Sequence, residues 1–211
     1  TGNRFADARP YDFALAAGDM VDNIQGNELG WYMAVMEGGS VDPDSGDDDD
    51  PIPGEGNDPH DAFLAEGMHP DVPWYAVLGN HDALELGNGG VVASLLADHT
   101  GTATSWLSKA VVPTCLTAPY YDDESLTPDR CYVPPTDYYT DSEVVADEAR
   151  ATFTREQWIA AHFDTVTEPD GHGFTVDNVA SGAGDYVVHD VVPGVPSALV
   201  VLDTSKWDSE V

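Results

Sequence analysis

Two short apolar runs, each ending in glycine and a polar cluster, constrain this chain more than any other feature. Tyr11-Asp12-Phe13-Ala14-Leu15-Ala16-Ala17 leads into Gly18-Asp19, and Pro73-Trp74-Tyr75-Ala76-Val77-Leu78 leads into Gly79-Asn80-His81-Asp82. Apolar runs this short, closed by glycine turns, read as buried strands. Glycine at a strand exit lets the backbone turn tightly and carries the next side chains beyond the strand end. In α/β sheets, ligand sites gather there.

The segments between and after these strands complete an α/β pattern within a single domain spanning residues 1–211. Ile24, Leu29, Tyr32, Met33 and Met36 recur at helical spacing, which predicts a helix over 23–36, capped by Asp22 or Asn23 and stopped by Gly38-Gly39. Trp31, Tyr32, Met33 and Met36 read as core. Residues 91–99 predict a short helix. Thr154, with Gln157 three residues on, predicts a capped helix to Phe163. Tyr186 to Asp190 and Ala198 to Asp203 read as strands, the second apolar on both faces as a central strand would be. Residues of about 40–60 form an acidic surface insert, and about 100–150 a loop-rich one.

Charge narrows the partners. Seven Lys and Arg stand against 39 Asp and Glu, a net charge of -32. Nucleic acid and anionic membranes need a basic surface, so the chain has no nucleic-acid-binding face. No apolar run approaches the length of a membrane span. The acid surplus fits either a surface adapted to high salt or a local acidic insert. Cys115 and Cys131 flank a Pro- and Tyr-rich loop and form either a disulfide, worth about 3 kcal/mol for a loop of this length, or two free thiols. The disulfide, which we favour, implies an extracytoplasmic or secreted location.

The polar clusters carry the chemistry. Two carboxylates, a carboxamide and an imidazole are oxygen and nitrogen donors suited to Mn, Fe, Zn or similar divalent ions. One carboxylate, such as Asp19, can bridge two cations about 3.5–4 Å apart.

Gly18-Asp19-Met20-Val21-Asp22-Asn23 followed by Gly79-Asn80-His81-Asp82 resembles the middle pair of motifs of the calcineurin-like metallophosphoesterases. Residues 18–32, the segment from Gly38-Gly39 to Ser45-Gly46, Thr154-Arg155-Glu156-Gln157-Trp158 and Gly171-His172-Gly173-Phe174 are similar to one bacterial subgroup. The resemblance implies part of a four-layer αββα sandwich with long loop insertions. It implies hydrolysis of a phosphomonoester or phosphodiester, small molecule or larger, at a site holding two divalent metal ions. Asp19 matches the metal-bridging carboxylate and Asn80 the carboxamide ligand of the second metal. His81 matches the histidine that assists the leaving oxygen, and Asp82 the acid that orients it. Asp22 and Asn23 match positions that hold the turn or support the ligands from behind. His172, on a glycine-flexed loop, is a candidate to reach the substrate cleft.

The chain departs from the family at both ends. No Asp-x-His precedes Asp19, and Gly171-His172-Gly173 is not the closing Gly-His-x-His. The expectation is therefore a fragment with half of the dimetal site, inactive by itself. The alternative is a non-catalytic acidic module binding calcium through residues 42–50, where Asp42, Asp44 and Asp47 to Asp50 offer oxygen ligands.

Overall fold

The computed structural model describes residue 3 and residues 11–45, 53–57, 59–84, 87, 99–101 and 145–205. Strand β1 (Ala14–Ala16) leads through a loop to helix α1 (Gly26–Glu37), followed by β2 (Gly39–Val41), β3 (Phe63–Ala65) and β4 (Trp74–Ala76). After residue 145 come a 3-10 turn (Glu148–Arg150), α2 (Arg155–Ala161), a second 3-10 turn (Asp170–Gly173), α3 (Val176–Ser181), β5 (Tyr186–His189) and β6 (Ala198–Val201). Among the described residues, three helices and three two-stranded sheets make a mixed α/β arrangement, as expected for the class. Among the described residues these sheets do not join into a four-layer sandwich. None of the described helices is long and apolar enough to cross a membrane.

β1 and β4 pair in parallel with Ala14 opposite Trp74 and Ala16 opposite Ala76, so both strands leave the sheet at the same edge. β2 and β3 pair antiparallel from Gly39–Ala65 to Val41–Phe63. β5 and β6 pair antiparallel from Tyr186–Val201 to His189–Ala198. The central-strand expectation for residues 198–203 is corrected here. Among the described residues β6 pairs with β5 alone, and period-2 alternation buries Val201 while Val200 stays 58% exposed.

Trp74, Trp158, Ile159 and Ile24 are the largest fully buried apolar side chains among the described residues, and they weld α1, α2 and the β1–β4 pair into one core. Tyr32 stacks on Trp158 at 6.3 Å, nearly parallel, and meets Trp74 edge-on. Thr154 caps α2 as expected, with Gln157 returning the bond to the Thr154 amide. The cap of α1 is Gln25 rather than Asp22 or Asn23. Glu28 accepts the amides of both Asn23 and Gln25, which draws the start of the helix three residues along the chain. Gly38 ends the helix at φ 83, where a side chain would be strained.

Arg150, only 8% exposed, is well satisfied: its guanidinium donates to the carbonyls of His99, Gly101 and Val145 and to Ser45 Oγ. It thereby gathers the chain on both sides of residues 102–144. Residues 91–98 and 102–144, with Cys115 and Cys131, lie outside the described residues.

Candidate functional site

Two glycines let the exits of β1 and β4 touch. At Gly18 (φ +93), an added Cβ would lie 3.0 Å from Gly79 Cα, and at Gly79 it would collide with Asp19. Between these turns sits Asp82, fully buried. Its Oδ2 accepts the amides of Asp19 and Gly79, both at 2.8 Å, and its Oδ1 those of Met20 (2.8 Å) and Val21 (3.1 Å). Burial pushes the Asp82 carboxyl above its usual range, against the downward pull of the four amides. This one carboxylate locks two loops 60 residues apart in sequence into a single unit.

The lock fixes what the loops present. Asp19 and Asn80 are exposed, and the imidazole of His81 is 31% exposed. Asp19 Oδ1 accepts the His81 amide at 3.0 Å. The Asn80 side-chain nitrogen donates to the Gly87 carbonyl at 2.9 Å, which turns the carboxamide oxygen the other way. His81 Nδ1 lies 3.0 Å from Asp22 Oδ1 and 3.1 Å from the Asp22 carbonyl. Two acceptors at Nδ1 place the ring proton there and leave Nε2 as the outward nitrogen. Gly87 (φ +68) closes over the ring, where an added Cβ would come within 2.6 Å of both Cδ2 and Nε2.

Asp22 and Asp82 thus exchange the roles expected of them. Asp82 does not orient His81; it holds the backbone turns. Asp22 orients the imidazole. The physical reason is burial: four converging amides capture the carboxylate that points inward, and the exposed one is left for the ring. Asn23 supports the turn through its amide, bonded to Glu28 Oε2, and through its side chain, which donates to Asp22 Oδ2 at 3.1 Å. Asp19 and Ile24 both take φ 53, and a left-handed backbone is rare for a β-branched residue. Ile24 is held there by burial and by its carbonyl, which accepts the Phe153 amide. Such strain concentrates at functional sites.

An open cleft of about 700 Å³ lies against this unit, with Asp19, Asp22 and His81 on one wall. The other wall is a stripe of α1: Glu28, Trp31, Tyr32, Val35 and Met36. Trp31, expected in the core, is only partly buried and lines the cleft instead. Glu28 had a legible signal that the sequence reading missed, the capping pattern Gln25-x-x-Glu28.

His172 does not reach the cleft. It is fully buried, stacked on Trp74 with ring centroids 3.6 Å apart, and both ring nitrogens are engaged, by the Trp74 carbonyl (3.0 Å) and Thr165 Oγ1 (3.1 Å). Trp74 opens β4 while His81 follows its end, so the two histidines stand at opposite ends of the strand. The flanking Gly171 and Gly173, both at positive φ, pack against Phe163 and Tyr186 and fold the loop inward. Buried His162 is a second histidine of this core, and its Nε2 meets Tyr32 Oη at 3.2 Å.

Asp19 and Asn80 offer two oxygen donors to a cation. Among the described residues no cluster of three or more His, Cys, Asp or Glu forms a metal site. In the acidic insert, Asp44 Oδ1 is 3.0 Å from His60 Nδ1, across the insert, and Asp42 Oδ1 accepts the Asp44 amide. Asp47 to Asp50 lie outside the described residues. Compared with protein-family models, with curated proteins and with solved structures, the chain matches none at a significant level.

Proposed function

We propose that the cleft at the ends of β1 and β4 belongs to a metal-dependent phosphoester hydrolase of the calcineurin-like type. The observation that carries this reading is the Asp82 lock, which joins the turns after two separate strands so that Asp19 and His81 line one open crevice, with Asn80 next to His81 in sequence and outside the crevice lining. The same reading makes β1 and β4 neighbouring strands of a larger αββα sandwich, and it keeps the extracytoplasmic location suggested by Cys115 and Cys131 as part of the proposal.

The residues present fit part of a dinuclear centre. Asp19, with one oxygen tied to the His81 amide, keeps the other for a cation. Asn80, with its nitrogen anchored on Gly87, offers its carboxamide oxygen. Further ligands must come from outside the described residues. Divalent ions of the Mn, Fe or Zn kind, bound there, supply charge neutralisation and a nucleophile from water near neutral pH. His81, oriented by Asp22 through Nδ1, turns Nε2 toward the departing oxygen; with its Nδ1 proton held by Asp22, the ring would give up a proton from Nε2 when it carries one on each nitrogen, and return to the neutral form. The α1 stripe walls the site on the other side.

The test is turnover of a chromogenic phosphodiester by the full-length protein with Mn added. His81→Ala is expected to lower kcat by roughly 10²–10⁴, the usual size of an acid-base contribution. Asp19→Ala is expected to abolish Mn binding and turnover together. Equal kcat with and without His81 removes it from the mechanism, and Mn-independent turnover sinks the reading.

A further inference from the structure

The cleft does not end where the polar groups end. Glu28, Trp31, Tyr32, Val35 and Met36 fall at i, i+3, i+4, i+7 and i+8, a single face of α1. From Glu28, beside the Asp19–His81 wall, to Met36 this stripe runs about 12 Å at the helical rise. Val35 and Met36 then also line a second groove, of about 600 Å³, between the end of α1, β3 and the starts of β1 and β4. Its walls include Tyr11, Phe63, Leu64 and Met68, and the first three are 49%, 51% and 80% exposed. The two hollows share Val35 and Met36 on their walls, the first carrying Asp19, Asp22, Glu28 and His81 and the second lined mainly by apolar side chains.

We infer that the substrate is a phosphoester bearing a long alkyl or acyl chain, with the phosphate at Asp19 and His81 and the chain lying along the α1 stripe into the Phe63–Leu64 groove. This rests on the hydrolase reading above. The far groove suits a flexible apolar chain: Val35, Met36, Phe63, Leu64, Met68 and Val72 outnumber the polar Asn3, Tyr11, Glu66 and His69 on its walls, so a fully polar group such as a sugar would give up more water than these side chains replace. Met36 and Met68 add unbranched, adaptable surface for a chain of variable shape. A second copy of the chain is the poorer occupant, because each copy carries a net charge of -32. Binding a remote chain would also supply energy for orienting the phosphate.

The experiment titrates the protein, in molar KCl with Mn, with butyl, octyl and dodecyl phosphate below their micelle-forming concentrations, by calorimetry. Affinity is expected to rise about tenfold or more from butyl to octyl, well within what four buried methylenes provide. In the double variant Phe63→Ser/Leu64→Ser, and separately in Val35→Glu, which places a charge at the joint between the hollows, that dependence is expected to vanish. Thermal melts of the variants check that they fold. Affinity independent of chain length, or a dependence that survives both variants, overturns the inference. Hydrolysis of butyl nitrophenyl phosphate, read in parallel, separates the two claims. Mn-dependent turnover without chain-length preference keeps the hydrolase and removes the groove. A preference that needs Phe63 and Leu64, without any turnover, keeps the groove and removes the hydrolase.

Discussion

His81 and His172 stand at opposite ends of the same strand, each beside a carboxylate, and the molecule treats them in opposite ways. His81 meets Asp22 at 3.0 Å at the surface, and one ring nitrogen is left outward. His172 lies 3.7 Å from Glu37 in the interior, with both ring nitrogens engaged and an indole across its face. Strained backbone and crowded glycines occur at both ends, at Asp19, Ile24 and Gly87 near His81 and at His172 itself (φ 46) with Gly171 and Gly173, so strain does not distinguish them. Around His172 the groups are satisfied: the Thr167 hydroxyl and the amides of Val166 and Thr167 all reach Glu37. Burial pushes the Glu37 carboxyl up, but these hydrogen bonds outweigh it and hold it below its usual range. Burial pushes both interior histidines down, His162 to about 4. A histidine–carboxylate pair is therefore not a site by itself; what separates the two is whether an atom is left over for a ligand.

The strongest way to break this contrast is Asp82→Ala. It orphans four amides at once and is expected to cost about 3–5 kcal/mol in urea unfolding, the size seen when one side of a buried charged contact is removed. A loss below about 1 kcal/mol would mean that the turns hold without it. Next in size is acid sensitivity at the interior end. The His162 pKa is about 4 in the fold against about 6.5 unfolded, so the unfolded chain binds the proton first. Its stabilising contribution is complete above pH 6.5, declines as the pH falls from 6.5 to 4, and amounts to about 3 kcal/mol. Comparing unfolding free energies of the protein and its His162→Gln variant between pH 7.5 and 4.5 isolates it; parallel profiles would refute the assignment. At the exposed end, Gly87→Ala is expected to cost about 1–3 kcal/mol because φ is +68 and the methyl would strike the His81 ring. It should lower Mn-dependent kcat beyond any change in the melt, whereas unchanged kcat would show that the ring tolerates displacement. The smallest effect is expected for Thr165→Val, which removes one partner of His172 and should cost about 1 kcal/mol without touching turnover.

The legible features were local ones. Gly18-Asp19 and Gly79-Asn80-His81-Asp82 were readable because glycine, turn and polar group follow one another along the chain. The Thr154–Gln157 cap and the β5 and β6 segments were readable for the same reason. The exchange between Asp22 and Asp82 was not, since their partners are decided by loops that meet only after β1 and β4 pair. His172 was not, because stacking on Trp74 is a long-range event, and neither was His162, whose burial depends on Tyr32 and Trp74 as well as on Trp158 one turn away. The open face of β6 escaped because an apolar strand reads alike whether one face or both are covered. Helix α3 was missed although Thr175 and Asn178 form its capping box, a pattern of the kind recognised at Thr154.

The pairing of β2 with β3 has a consequence for how this chain can vary. Gly39–Val41 and Phe63–Ala65 close a ladder around residues 42–62. Once its ends are clasped, an excursion can double in length for only about 0.6 kcal/mol of closure entropy. The acidic stretch is thus a region where insertions and deletions can accumulate at little thermodynamic cost, and where a tag or a second binding module could be grafted without disturbing the crevice at the strand exits.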